Sequence, residues 1–123
     1  MRSVNKVILV GHVAADPEQT ETKTGRVRVT FPLATHRDTT SDGVQKEVTD
    51  YHRIVTWGTL GEVCARYLGK GQGVYVEGII LNRAYEKDGD RKYVTEIRAE
   101  EVNMLTWKQR AGVDTLSRDT IAA

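Results

Sequence analysis

The stretch from Thr49 to Leu60, TDYHRIVTWGTL, is the feature that most constrains the fold, because its residues alternate as in a strand. One face would carry Tyr51, Arg53, Val55 and Trp57, and the other Val48, His52, Ile54 and Thr56. Aromatic rings around a guanidinium suit a flat, charged ligand. Packing in a core competes with this interpretation, because strand tryptophans are more often buried. Periodicity alone favours the core.

Length and composition exclude several classes of protein. A chain of 123 residues fits one domain. With 18 basic and 17 acidic residues, net charge does not indicate nucleic acid, so a basic surface requires segregated charges. Cys64 is the single cysteine, which excludes an internal disulfide, and its place on an apolar helical stripe predicts a buried thiol. Gly11 and His12 interrupt the first apolar run, so we expect neither a signal peptide nor a membrane span.

Alternation and turn residues predict five strands and one helix. The strands are Val4–Val13, Arg26–Thr35, Thr49–Leu60, Val74–Tyr85 and Lys92–Leu105. A capping box, Thr59 to Glu62, predicts the start of the helix, and the glycines from Gly69 to Gly73 predict its end. Five strands with a helix between the third and fourth predict an all-β OB-fold, a five-stranded Greek-key barrel.

Turns and bends are marked by glycine and proline. The polar stretch from Asp38 to Lys46 predicts a hairpin loop, and Lys87-Asp88-Gly89-Asp90 predicts a second hairpin. Gly11 predicts a bulge, Pro32 an edge or bulge, and Gly78 a bend.

No set of residues indicates catalysis, a metal or a cofactor. The histidines, His12, His36 and His52, lack the spacing and the company of a metal site. The glycine-rich turn lacks the ending of a phosphate loop, which leaves Lys70 as a candidate phosphate contact. Arg83 and Tyr85 repeat the spacing of the third strand, with an arginine two positions from an aromatic residue. This repetition brings the ligand-binding interpretation of the aromatics closer to the core interpretation. Such spacing suits a single-stranded nucleic acid, whose bases stack while its phosphates meet the charges.

Several blocks resemble the single-stranded DNA-binding proteins of bacteria and mitochondria, from about Val4 to Leu105. In order these are VNKVILVGHVAADPE, FPLAT, TDYHRIVTWGTLGEVCARYLGKGQGVYVEG and KYVTEIRAEEVNML. The resemblance implies an OB-fold domain over 1–105, a tail over 106–123 and a homotetramer. It also implies binding of single-stranded DNA without sequence readout, catalysis or cofactor, during replication, recombination and repair. A cytoplasmic, nucleoid-associated location follows, with a mitochondrial or phage origin left open.

The resemblance assigns roles to single residues. Stacking positions of the family fall on Tyr51, Trp57 and Tyr85. Phosphate-contacting positions fall on Arg53, Lys70 and Arg83, with Arg2 and Lys6 as weaker candidates. The family's interface histidine falls on His52. We expect Trp57 to contribute more to binding than any other residue.

The chain departs from the family pattern at four places. Thr39 replaces a frequent tryptophan, and Thr59 and Leu81 replace basic residues. The sequence also ends at Ala123 without the long linker and acidic tip of bacterial members, so we expect no recruitment of replication and repair enzymes through that tip. The alternative function is a primosome-type OB-fold adaptor in which DNA binding is secondary.

Overall fold

The computed structural model describes residues 1–106. Its strands are β1 (Val7–Val13), β2 (Glu18–Glu21), β3 (Val27–Ser41), β4 (Val44–Trp57), β5 (Gly73–Lys87) and β6 (Asp90–Met104), and its helix α1 is Gly58–Tyr67. Of the predicted tail, only Thr106 is described, and its hydroxyl accepts a 2.8 Å hydrogen bond from the backbone N–H of Gly73. The rest of that prediction, 107–123, lies outside the described residues.

Five of the strands close into a barrel. The ring runs β1-β5-β6-β4-β3 and returns to β1 through the pairing of β3 with β1. Every pairing in the ring is antiparallel except that of β4 with β6. This confirms the predicted all-β OB-fold, with its helix between the third and fourth strands of the ring. The short strand β2, which pairs with β3 outside the ring, was not predicted because its four residues, EQTE, are all exposed and show no alternation.

The barrel interior holds the apolar core, and α1 contributes to it. Val29, Phe31 and Leu33, which occupy alternate positions of β3, are fully buried. Cys64 is buried too, and burial raises the pKa of its thiol to about 11 despite a hydrogen bond with Thr56. The thiol is therefore protonated at neutral pH and packs as a small apolar group.

Alternation along β4 is wrong at one position. Val55 was assigned to the ligand-facing side, yet Ile54, Val55 and Thr56 are all buried. Paired residues of neighbouring strands share a face, so Val55 is flanked on its own face by the side chains of Thr30 on β3 and Arg98 on β6. Flanking strands cover side chains that a sequence pattern places at the surface.

The hairpin predicted over Asp38 to Lys46 is present, but its loop is shorter than predicted, because β3 continues to Ser41 and β4 begins at Val44. We call residues 36–49 of these two strands the hairpin arm. The turn contains only Asp42 and Gly43, with φ of 51° and 77°. Two positive φ angles define the mirror-image turn that matches strand twist, which favours an Asp-Gly pair. The arm is mostly exposed, so it carries no apolar alternation.

The capping box at Thr59 is not formed. The helix begins one residue earlier, at Gly58, with Trp57 as its N-cap and no side-chain cap hydrogen bond. Gly58 has φ of 62°, a conformation that glycine adopts without strain, and this bends the chain from β4 directly into α1.

The predicted bends fall where strands approach closely or change partner. A Cβ at Gly78 would collide with the carbonyl oxygen of Arg98, at the register shift between β5 and β6. A Cβ at Gly11 would likewise meet the carbonyl oxygen of Ala34, so Gly11 marks a close approach rather than a bulge. Pro32 lies where β3 changes partner from β2 to β1.

Candidate nucleic-acid interface

Alternate residues of four neighbouring strands share one outer face of the barrel. Arg53 of β4 lies opposite Pro32 of β3, and the pairing of Ile54 with Ile97 sets Arg53 beside Glu96 of β6. On the far side of Glu96, β5 supplies alternate residues that include Leu81, Arg83 and Tyr85. We call Arg28, Arg53, Arg83 and Glu96 the arginine cluster.

The predicted stacking residues differ in how open they are. Tyr51 is 69% exposed and Tyr85 is 42% exposed, so neither is a core residue. Trp57 is half-buried, and the guanidinium of Arg26 lies over its ring at 4.3 Å from the centroid. Arg83 lies 5.9 Å from the ring centroid of Tyr85. All three rings are thus at least partly exposed, and two of them have a cation beside them.

A single buried carboxylate organises the arginine cluster. Glu96 is 5% exposed, and its Oε2 accepts hydrogen bonds from Arg53 Nε at 2.7 Å and Arg28 Nη2 at 3.1 Å. Its Oε1 accepts one from Arg83 Nε at 2.8 Å. The side chains of Arg53 and Arg83 remain 46% and 47% exposed. Three cations therefore surround one anion, and the cluster keeps a net positive charge at the surface.

The surroundings of Glu96 keep it ionised. Burial by itself would raise the pKa of this carboxyl, but hydrogen bonds from Arg83 and Arg53, together with the charges of Arg83 and Arg28, lower it to about 2. The hydrogen bond between Arg83 and Glu96 in turn raises the pKa of Arg83.

This lowered pKa predicts a loss of stability in acid. The folded-state pKa lies below the ordinary value of 4.5, so the stabilisation is fully present above about pH 4.5 and is lost as the pH falls through about 2. We expect the free energy of unfolding of the wild type to fall relative to that of Glu96→Gln by on the order of 3 kcal/mol between pH 6 and pH 2. Urea unfolding followed by circular dichroism measures this difference. A difference that stays constant with pH would contradict it, because the other carboxyls titrate in both proteins.

The other predicted basic contacts do not join the arginine cluster. Lys70 is exposed, and its backbone N–H donates to Asp16 Oδ1 at 2.9 Å. Asp16 lines a surface depression together with Tyr51 and Arg53, which places Lys70 next to one end of the face. Lys6 pairs with Glu77 at 3.5 Å. Arg2 is exposed and precedes β1.

The predicted interface histidine lies on β4 among partly buried groups. His52 is half-buried, and its Nε2 lies 2.8 Å from Thr35 Oγ1. Of the positions that depart from the family pattern, Leu81 is directly opposite Glu96. Thr39 is on the hairpin arm opposite Lys46, and Thr59 is in the first turn of α1.

Sequence reasoning missed several residues of this surface. Glu96 and Arg28 were not singled out, because their partners are distant in the chain. Arg26 was not singled out, because its contact with Trp57 is set by the register between β3 and β4. A further pair, Arg91 and Tyr93, lies near the tip of the β5–β6 hairpin, with the guanidinium 5.8 Å from the ring centroid. Its spacing repeats that of the pair on β5 and was a usable signal.

Within residues 1–106, no group of three or more histidine, cysteine or acidic side chains is arranged to hold a metal ion. No helix in that part of the chain is long and apolar enough to cross a membrane.

One family of known proteins matches almost the whole described part of the chain. The model of the single-strand binding protein family matches residues 4–105. The chain belongs to this family. Proteins of the family bind DNA and are not enzymes.

Individual relatives agree with this placement. The chain is 45% identical over 114 residues to single-stranded DNA-binding protein 1 of Chlorobaculum tepidum, covering 90% of this chain and 70% of that protein. A Plasmodium falciparum single-stranded DNA-binding protein, solved in complex with single-stranded DNA, is 30% identical with a TM-score of 0.77, covering 85% of this chain and 97% of the other. A deletion mutant of the Thermus aquaticus protein is 35% identical with a TM-score of 0.72, and the match covers 83% of this chain but 50% of that one.

Proposed function

We propose that this protein binds and protects single-stranded DNA without strong sequence preference during replication, recombination and repair. The observation that carries the proposal is the outer face on which exposed Tyr51 and Tyr85 accompany the half-exposed Arg53 and Arg83. The Plasmodium relative, solved with single-stranded DNA, supports it. The bacterial sources of close relatives support a cytoplasmic site of action on the nucleoid.

The chemistry of this face explains the lack of sequence readout. Every base has a π face, so Tyr51, Trp57 and Tyr85 accept any base, at about 1 to 3 kcal/mol for each base stacked. Arg53 and Arg83 bind phosphates through their terminal nitrogens, and Lys70 adds a phosphate contact at the end of the face. A duplex keeps its bases stacked inside, so it offers this surface only phosphates.

A fluorescence titration tests the proposal. Trp107→Phe removes the second tryptophan, so that emission reports on Trp57 alone. We expect oligo-dT to quench this emission at low salt, because a base stacks on the indole, and duplex of equal length to quench it far less. The logarithm of the binding constant should fall with the logarithm of salt concentration with a slope of about 0.7 for each phosphate contact. Absence of both quenching and binding of labelled oligo-dT at low salt would contradict the proposal.

We also propose that the protein assembles as a homotetramer. The outward residues of β1 support this: Ile8 and Val10 are 55% and 58% exposed, whereas Val7 and Leu9, which alternate with them, pack against the core. Exposed apolar side chains in a row are typical of a face covered by another subunit. His52, half-buried on β4, takes part in the assembly.

Light scattering tests the assembly. We expect the mass of a tetramer for the wild type and a smaller species for His52→Asp, because a carboxylate buried at a subunit contact loses its hydration. His36→Asp is the matched control, since His36 is exposed on the hairpin arm, and it should leave the mass unchanged. A monomeric wild type would remove this proposal.

A further inference from the structure

The contacts of Glu96 use particular atoms of the two arginines beside it. Arg53 and Arg83 each donate to the carboxylate from Nε, at 2.7 and 2.8 Å. Arg83 adds only a long contact of 3.4 Å from Nη2, and no terminal nitrogen of Arg53 is hydrogen-bonded within residues 1–106. Because the guanidinium is planar and rigid, a bond at Nε fixes the direction in which its other donors point.

The members of the arginine cluster differ in exposure: Glu96 is buried, whereas Arg53 and Arg83 reach the surface. The Glu96 side chain is 6% exposed, whereas nearly half of each arginine side chain is exposed. Arg28, whose side chain is 23% exposed, donates to the same carboxylate oxygen as Arg53 and is the third arginine bound to Glu96. The carboxylate is thus inaccessible to a ligand, while both guanidinium groups reach the surface on which the proposed DNA strand would lie.

We infer that Glu96 is a positioning residue for DNA binding, which holds Arg53 and Arg83 at their Nε atoms. This leaves both terminal nitrogens of Arg53 and Nη1 of Arg83 to bind phosphates of the strand. Arginine side chains are rich in rotamers, and immobilising one on binding costs free energy. The hydrogen bonds of Glu96 immobilise both arginines when the protein folds, so that DNA binding does not have to. The inference rests on the proposed function and adds a role for a residue that itself touches no DNA.

Charge and positioning predict opposite results when Glu96 is neutralised. DNA is a polyanion, so loss of a negative charge from the binding face should strengthen attraction if charge alone mattered. If Glu96 positions the arginines, its loss weakens binding despite the gain in net positive charge. The sign of the change therefore separates the two roles.

The experiment compares dissociation constants for labelled oligo-dT at fixed salt. Glu96→Gln removes the charge, and Glu96→Asp keeps the charge but draws the carboxylate back by one methylene. Glu100→Gln is the control, because Glu100 is an exposed acid on the same strand, four residues away. We expect each Glu96 variant to bind roughly tenfold more weakly, since two arginines must be immobilised anew. The control should bind as the wild type does or slightly more tightly.

A second comparison excludes general damage to the barrel. In an Arg53→Ala, Arg83→Ala background, Glu96→Gln should not weaken binding further, because the groups that it positions are absent and only the loss of its negative charge remains. A distorted barrel would lose affinity in that background as well. If Glu96→Gln does not fold, Glu96→Asp decides the matter, with circular dichroism as the folding check.

The outcomes are distinct from those that test the proposed function. A wild type that fails to bind oligo-dT would remove the proposed function itself. A wild type that binds, with folded Glu96→Gln and Glu96→Asp variants of equal or higher affinity, would overturn only the role of Glu96.

Discussion

Replacing both Tyr51 and Trp57 by alanine is expected to weaken binding of oligo-dT by a factor between roughly 30 and roughly 20,000. Two stacking surfaces at about 1 to 3 kcal/mol each are lost, and every 1.4 kcal/mol is a factor of ten. Because the double variant lacks the reporting indole, the measurement is fluorescence polarisation of labelled oligo-dT. We expect Trp57→Ala to account for more of the loss than Tyr51→Ala, since the indole is larger and Arg26 holds one of its faces at 4.3 Å.

Two controls separate stacking from damage to the fold. Tyr67→Ala removes a tyrosine of α1 that is 45% exposed and lies outside the proposed surface, so affinity should not change. Trp57→Phe keeps an aromatic ring at the same position and should retain most of the affinity. A double variant that remains folded and binds like the wild type would show that stacking on these two rings does not drive the interaction.

Phe31→Ala is expected to lower the free energy of unfolding by about 3 to 5 kcal/mol. Phe31 is among the largest fully buried side chains, and it pairs across β3 and β4 with Ile54, which is also buried. The loss combines the transfer of apolar atoms out of water with the cavity left behind, because a closed barrel relaxes little around a gap.

The measurement is urea unfolding at one protein concentration, since assembly would make the apparent stability depend on concentration. Phe31→Leu is the matched variant and should lose less, because leucine refills part of the cavity. Val63→Ala, which removes apolar atoms that are 40% exposed on α1, should change stability by much less than either. A cost below about 1 kcal/mol for Phe31→Ala would contradict a rigid core at this position.

Much of the barrel was predictable, because the strands of the ring carry their own local signal. Apolar residues at every second position of β3 mark the inward face before any partner is known. Glycines at 11 and 78 mark close approaches, because only a missing Cβ allows another backbone so near. The signal failed in β2 and in the hairpin arm, whose side chains are mostly exposed and therefore need no apolar alternation.

The start of α1 shows a different kind of failure. Thr59 and Glu62 have the residue types and spacing of a capping box, but the chain turns into the helix at Gly58, before the threonine. Where a helix begins depends on how the preceding strand ends, and β4 is held up to Trp57 by its pairing with Arg28 of β3. The pairing of β4 with β3, and not the local capping motif, therefore sets where α1 begins.

Local sequence is enough to predict the five strands of the barrel, the order that makes an OB-fold, and the candidate aromatics and arginines at a spacing of two. These depend on neighbours along the chain. The contacts of the arginines depend instead on the folded barrel: Glu96 meets Arg83, Arg53 and Arg28 across separations of 13, 43 and 68 residues. Closure of the barrel through the parallel pairing of β4 with β6 brings Arg53 beside Glu96. Glu96 binds arginines from three other strands, and each of them comes close to it only through the pairing of strands. A local sequence pattern therefore cannot predict this cluster.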